Sequence, residues 1–252
     1  MSLHFQHITK HFTVNGAPLT VLQDIDLSLQ AGELVAVIGA SGCGKSTLLR
    51  LAAGIDTTER GRILIGERPV CGIPDDVSLV FQEPRLFPWL TVTDNIRLGM
   101  LNLDLSPAEV THRIAHYLQM MGLEGFADAW PHQLSGGMAQ RVAIARGLVS
   151  TPRILLLDEP FGALDALTKQ QLQERLAEIR QQTDLTILLV THDVEEAVFL
   201  ADSVVVMSPR PGRISRILPI NLTYPRDRNS TALLEQRQAV SQALHQADTV
   251  AA

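Results

Sequence analysis

Lysine is scarce in this 252-residue chain: only Lys10, Lys45 and Lys169 occur, and arginine carries nearly all the positive charge. The Lys and Arg total of 21 falls short of 27 Asp and Glu, a formal charge of -6, and the acidic balance excludes a surface built for nucleic-acid phosphates. Two cysteines, Cys43 and Cys71, make neither a disulfide framework nor a metal-ligand spacing, which points to a reducing compartment. Aromatic residues are 4% of the chain. Long apolar runs are also missing. "VAVI", "ILLL" and "SVVVM" are far shorter than the roughly 20 residues a membrane-crossing helix needs, although mean hydropathy is +0.12. The opening "MSLHFQHITKHF" shows no charged-then-apolar leader, so a cytoplasmic address is expected. No repeat and no low-complexity segment is evident.

What is present is punctuation and alternation. From Leu3 to about Leu29 the pattern is short, turn-punctuated and β-rich, with "VNGAP" as a loop. "ELVAVIG" reads as a buried strand, "KSTLLRLAAG" as the helix after it, and "GRILIG" and "VSLVF" as further strands. From about Pro84 to Gly147 the texture becomes helical. In "SPAEVTHRIAHYLQMM", Ser106 is the expected N-cap, Pro107 the first helical residue and Glu109 the partner in a capping box, ahead of an apolar stripe Val110, Ile114, Leu118, Met121. His112 and His116 lie off that stripe with no evident third ligand, and solvent-facing histidines are expected. After Pro152, "RILLLDEP", "TILLVTHD" and "SVVVM" are strands alternating with helices, of which "DALTKQQLQERLAEIRQQT" turns Leu172, Leu176 and Ile179 inward. Continuous apolar strands alternating with helices imply an α/β fold with a mainly parallel sheet covered on both faces. The segment beyond Pro219 is too short for a separate domain.

"GASGCGKST" fits the phosphate-loop spacing between a strand and a helix. Gly39, Ala40, Ser41, Gly42, Cys43 and Gly44 would turn backbone N–H groups around phosphate oxygens, while Lys45 offers an ammonium to the terminal phosphates. Ser46, followed by Thr47, offers a hydroxyl to Mg²⁺. The same positive surroundings are expected to favour a Cys43 thiolate, so thiol modification should block nucleotide binding and ATP should protect the thiol. At the end of "ILLLDEP", Asp158 fits the acid that holds Mg²⁺, and Glu159 the group that orients and deprotonates water. His192 ends "LLVTH" and Gln82 ends "VSLVFQ". The former suits γ-phosphate contact and the latter contact with metal or water; each alone would more often be a structural polar residue, and together with the loop they read as γ-phosphate sensors. "LSGGMAQRVAIARGL" offers a second anion cradle at Ser135, Gly136 and Gly137; as a core helix it would be well capped, with Met138, Val142, Ala145 and Val149 as an apolar stripe.

Taken in order, "GASGCGKST", Gln82, "LSGGMAQ", "ILLLDEP", "GALD" and "THD" resemble the nucleotide-binding subunits of ABC transporters, over nearly the whole span from Leu3 to Pro219. The resemblance implies a P-loop NTPase core with an N-terminal antiparallel β subdomain and a helical insert. It places the ATP-binding domain at 1–220, the helical subdomain at about 84–147 and a short C-terminal extension at 221–252. It further implies an ATPase using ATP and Mg²⁺ in a head-to-tail homodimer. There Ser135, Gly136 and Gly137 would cover the γ-phosphate held by the opposite subunit, Asp165 would lie at the dimer seam, and Phe12 would sit under the adenine. The wording of "VFQEPRLFPWLTVTDNI" and "MSPRPGRI" is similar to the nitrate/sulfonate/taurine group of bacterial importers. Such a subunit would work at the cytoplasmic face of the inner membrane, on an integral membrane permease supplied by a periplasmic or lipoprotein solute-binding protein. Leu86, Phe87, Trp89 and Leu90 are candidates to receive a permease helix, or else pack within the insert. The rival reading is a soluble non-transport ABC ATPase, which would be expected to carry coiled coils or paired nucleotide units.

Overall fold

The computed structural model describes residues 1–249; residues 250–252 of the expected C-terminal extension lie outside the described residues. The strands β3 (Leu34–Gly39), β7 (Ile154–Asp158), β8 (Thr186–Val190) and β9 (Ser203–Met207) are the apolar runs of the sequence, and they form the middle of a six-stranded sheet. Its order is β10-β9-β3-β8-β7-β6, with β6 (Val77–Val80) at one edge and β10 (Ile214–Pro219) at the other. All neighbours run parallel except β10, which pairs antiparallel with β9.

A strand alternates its side chains, so a buried strand supplies two cores at once. In β3, Leu34, Ala36 and Ile38 join the apolar cluster under the helices, while Val35 and Val37 join a second cluster under the N-terminal sheet. That second sheet, in the order β2-β1-β4-β5, is antiparallel and built from β1 (Leu3–Val14), β2 (Ala17–Leu29), β4 (Arg60–Ile65) and β5 (Arg68–Pro69). The sequence reads here as short strands, yet β1 and β2 run for 12 and 13 residues. Between them Asn15-Gly16, both at positive φ, makes the hairpin turn. The register slips between Phe5 and Ile8, where His7 takes a φ of 53°, so the chain bends and continues instead of stopping.

Between β3 and β7 lie α1 (Lys45–Ala52), α2 (Val92–Arg97), α3 (Pro107–Met120) and α4 (Gly136–Leu148). Ser106 and Glu109 close the expected capping box on α3. Ile114, Leu118 and Met121 are buried, Val110 packs against them, and His112 and His116 face solvent. After β7 follow α5 (Ala166–Gln182), α6 (Val194–Leu200) and α7 (Thr231–Thr249). α7 lies on α6 and β9 and buries Leu233, Val240, Ala243 and Ala247. Arg226, just before it, donates to the carbonyls of Val198, Phe199 and Ala201, satisfying the end of α6. Among the described residues, no helix is long and apolar enough to cross a membrane.

Candidate functional site

A parallel sheet presents its chemistry at the C-terminal ends of its strands. β3 ends at Gly39 and turns into the loop 40–44 before α1. The glycines are required by space. A Cβ on Gly39 would stand 2.9 Å from the Met207 carbonyl oxygen. Gly44, at φ 105°, would drive one to 2.6 Å from Leu22 Cδ2. No side chain caps α1 and its first turn holds no acid, so its N-terminal N–H groups and positive dipole end open onto the loop's concavity. Lys45 curls back with Nζ 2.8 Å from the Gly39 carbonyl and 3.0 Å from that of Ala40, which holds the ammonium over the loop.

Ser46 Oγ donates to Asp158 Oδ1 at 2.9 Å, joining the start of α1 to the end of β7. Burial raises the Asp158 carboxyl above the ordinary carboxylate range, offset in part by the Ser46 hydrogen bond. A desolvated carboxylate beside a hydroxyl is a hard oxygen pair of the kind Mg²⁺ prefers. Glu159 follows directly, at a φ of 45°. In an extended strand, neighbours 158 and 159 would face opposite ways. The left-handed turn, held by the Glu159 N–H on the Val190 carbonyl, lets both carboxylates serve one site. His192 Nδ1 lies 2.9 Å from Glu159 Oε2, and Gln82 Nε2 makes a longer contact of 3.4 Å with the same oxygen.

Of these groups Lys45, Ser46, Gln82, Glu159 and His192 border one cleft of 720 Å³, while Asp158, bonded to Ser46, is not among its lining residues. Ser41, Gly42, Gly44, Lys45, Ser46 and Thr47 form its floor, Gln82, Glu159 and His192 one end, and Phe12, with Val14, Leu19 and Val21 of the N-terminal sheet, the other. Phe12 is 39% exposed at the rim, with Lys10 Nζ 5.0 Å from its ring centroid. Cys43 departs from the sequence expectation. It is packed beneath the loop at 1% exposure, and burial raises its thiol pKa, outweighing the favourable charge of Lys45. A favoured thiolate and an ATP-protected thiol are therefore corrected to a buried, neutral structural thiol.

The second cradle stands elsewhere. Ser135 N-caps α4 and accepts from the Met138 N–H at 3.2 Å, with Gly136 and Gly137 in the first turn. None of the three lines the cleft. Gly137 instead faces the loop before α5, where a Cβ would lie 3.1 Å from Leu164 Cδ2, and Asp165 caps α5 through the Thr168 N–H. Met138, Val142, Ala145 and Val149 pack into the core on the other side. Helix α4 also holds the loop after Gln82: Gln140 donates to the Phe81 carbonyl, and Arg146 to those of Pro84 and Arg85. Beyond that loop Phe87 and Trp89 are exposed and meet edge to face, while Leu86 and Leu90 are half-buried.

Two residues in or near the site were given no role by the sequence. Arg210, in the β9–β10 turn, lines the cleft and donates to the Gly42 carbonyl through Nη2 at 2.9 Å and Nε at 3.2 Å. Lys169 pairs with Asp193, the neighbour of His192. Only the scarcity of lysine in the chain pointed towards the latter.

Comparison with known proteins agrees with this geometry. The family model described as ABC transporter matches residues 22–162. An aliphatic sulfonates import ATP-binding protein, SsuB 1, of Pseudomonas savastanoi pv. phaseolicola is 51% identical over 92% of this chain and 92% of its own. A similarly named protein of Bacillus cereus is 43% identical over 96% of this chain and 95% of its own. The dimeric structure of the cassette MJ0796 bound to ADP and Pi superposes with a TM-score of 0.80 at 30% identity, covering 88% of this chain and 100% of that one. The loop, the paired carboxylates, the separate LSGG cradle and these likenesses lead to one assignment: the chain belongs to the ABC transporter family, as its ATP-binding, ATP-hydrolysing cassette.

Proposed function

We propose that this cassette energises a bacterial importer of small sulfonates, with taurine- or nitrate-type anions as related cargo, through a separate membrane permease at the cytoplasmic face of the inner membrane. A solute-binding protein would deliver the cargo. The reading is supported by the aliphatic sulfonate importers among the relatives and by the exposed Phe87–Trp89 pair beside Gln82, which suits a short permease helix. Residues 1–220 would form the ATP-binding unit, with 84–147 as its helical part and 221–252 as an extension.

The observation that carries the mechanism is the split between the two cradles. Ser41, Gly42, Gly44 to Thr47 and Glu159 share a cleft, while Ser135 to Gly137 are not part of its lining. A head-to-tail homodimer brings the second cradle of one copy over the cleft of the other, with Asp165 at the seam. Phe12 receives the adenine, the loop N–H groups and Lys45 hold the phosphates, and Gln82 and His192 contact the terminal phosphate and its water. Ser46 and Asp158, with Gln82, would hold Mg²⁺, which supplies charge neutralisation at the phosphates. Glu159 accepts the proton of the attacking water. Its contact with His192 Nδ1 fixes the carboxylate and leaves Nε2 of the imidazole for the phosphate.

The test is Glu159→Gln beside Ser135→Ala and Gly137→Val. Glu159→Gln should lose hydrolysis by roughly 10²-fold or more while retaining ATP, and accumulate as a dimer on a sizing column. A Ser135→Ala/Gly137→Val double variant that hydrolyses at the wild-type rate as a monomer refutes the shared site.

A further inference from the structure

We propose that Lys169 is a positioning residue that ties the Asp165 turn to His192, so that the contact made at the dimer seam and the contact made at the terminal phosphate move as one unit. The inference rests on the roles given above to His192 and Asp165, and on the following geometry.

Lys169 lies one turn into α5, and its backbone N–H donates to the Asp165 carbonyl at 2.9 Å. Its side chain crosses to α6, where Nζ is 2.7 Å from Asp193 Oδ2 and 2.9 Å from Glu196 Oε2. Asp193 uses its other oxygen to cap α6, accepting from the N–H groups of Glu195 and Glu196 at 2.8 and 3.2 Å. It is also the residue after His192, so the orientation of the imidazole and the start of α6 are set by one short stretch of backbone. One ammonium thus spans the two turns that the mechanism needs in register.

A bland reading is available: Lys169 merely neutralises Glu196, whose side chain is 2% exposed. Two details count against it. Glu196 remains under-satisfied, since its Oε1 has no hydrogen-bond partner and Gln173 reaches only the other oxygen, at 3.3 Å. Lys169 also pairs with Asp193, which already has two backbone partners and is the more exposed acid. A charge that only neutralised Glu196 would not need this second contact; a brace between two turns does. In a chain with three lysines, Lys45 serves the phosphates and Lys10 pairs with Glu59 on the N-terminal sheet, so Lys169 is the one that joins two loops at the site.

The experiment measures steady-state ATP hydrolysis and, separately, affinity for a fluorescent ATP analogue, on the full chain. Lys169→Met should lower kcat roughly ten- to hundredfold with nucleotide affinity within about twofold, because the misplacement falls on the reacting end of the cleft. Lys169→Arg should recover most of the rate. Glu196→Gln, which leaves the Lys169–Asp193 pair intact, should hold kcat within about twofold. In a His192→Ala background, Lys169→Met should cost less than about twofold more. Full kcat in Lys169→Met, an equal loss in Glu196→Gln, or losses that multiply in the double variant each overturn the proposal. If Lys169→Met no longer binds nucleotide, Asp193→Asn decides the question, since asparagine keeps the cap and removes the ionic tie. Wild-type kcat in Asp193→Asn overturns it. Loss of hydrolysis in Glu159→Gln is the independent control on the site itself: a Glu159→Gln chain that still turns over faults the reading of the site, whereas a normal control with an inert Lys169 faults only the brace.

Discussion

Replacing Asn95 by alanine should unfasten the segment that presents Phe87 and Trp89 while leaving the nucleotide cleft intact. Asn95 is fully buried in α2. Its Oδ1 accepts from the Phe87 N–H at 2.9 Å, and its amide nitrogen faces the carbonyls of Thr91, Leu90 and Phe87 at 2.9, 3.1 and 3.2 Å. An amide has two hydrogens, so about three good bonds hold at once, one accepted and two donated. At about 0.5–1.5 kcal/mol net each, and more where a backbone group is left buried without a partner, the loss comes to roughly 2–4 kcal/mol. For a chain of this size that corresponds to a fall in Tm of roughly 5–15 °C. Urea unfolding reports the first quantity and calorimetry the second. Asn95→Asp keeps the acceptor but loses the donors and buries a charge, so it should be no milder. Affinity for a fluorescent ATP analogue should stay within about twofold, because neither Asn95 nor residues 87–91 border the cleft. An Asn95→Ala protein within about 0.5 kcal/mol of wild type would refute the reasoning, since surface changes alone stay in that range.

Two further outcomes follow from contacts that lie outside the motifs. Cys43 should label slowly with a thiol reagent near neutral pH, with or without ATP, while exposed Cys71 labels fast; burial raises the Cys43 thiol, so its thiolate appears only above the ordinary thiol range and its labelling should rise late with pH. Equal rates at the two cysteines in the native protein would contradict this, and denaturation should abolish any difference. Arg210→Ala should raise the KM for ATP about fivefold with kcat nearly unchanged, since its bonds to the Gly42 carbonyl shape the loop that binds phosphate and not the end where water attacks. A fall in kcat with KM constant would show that assignment to be wrong.

The phosphate loop was legible because its chemistry is local: a strand, a run of glycines and a helix start fix the positions of Gly39 to Thr47 along contiguous chain. The strand ends bearing Asp158, Glu159 and His192 were legible for a related reason, since buried parallel strands declare themselves as apolar runs and end where polarity returns. The capping box of α3 and the loop at "VNGAP" belong to the same class. Where punctuation could be absorbed by a bulge, as at His7, the sequence suggested shorter strands than the 12 and 13 residues observed.

Sequence by itself determined which residues belong to the nucleotide chemistry and which elements carry them, because those signals depend on neighbours in the chain. Tertiary structure decided everything that depends on partners far apart in it. It buried Cys43 and so silenced the thiol that its neighbour Lys45 seemed to activate. It brought Arg210 onto Gly42 from 168 residues away and Lys169 onto Asp193 from the next helix. It also left the Ser135 cradle out of the cleft lining in its own chain. Burial and orientation are properties of packing, and no local run of residues encodes them.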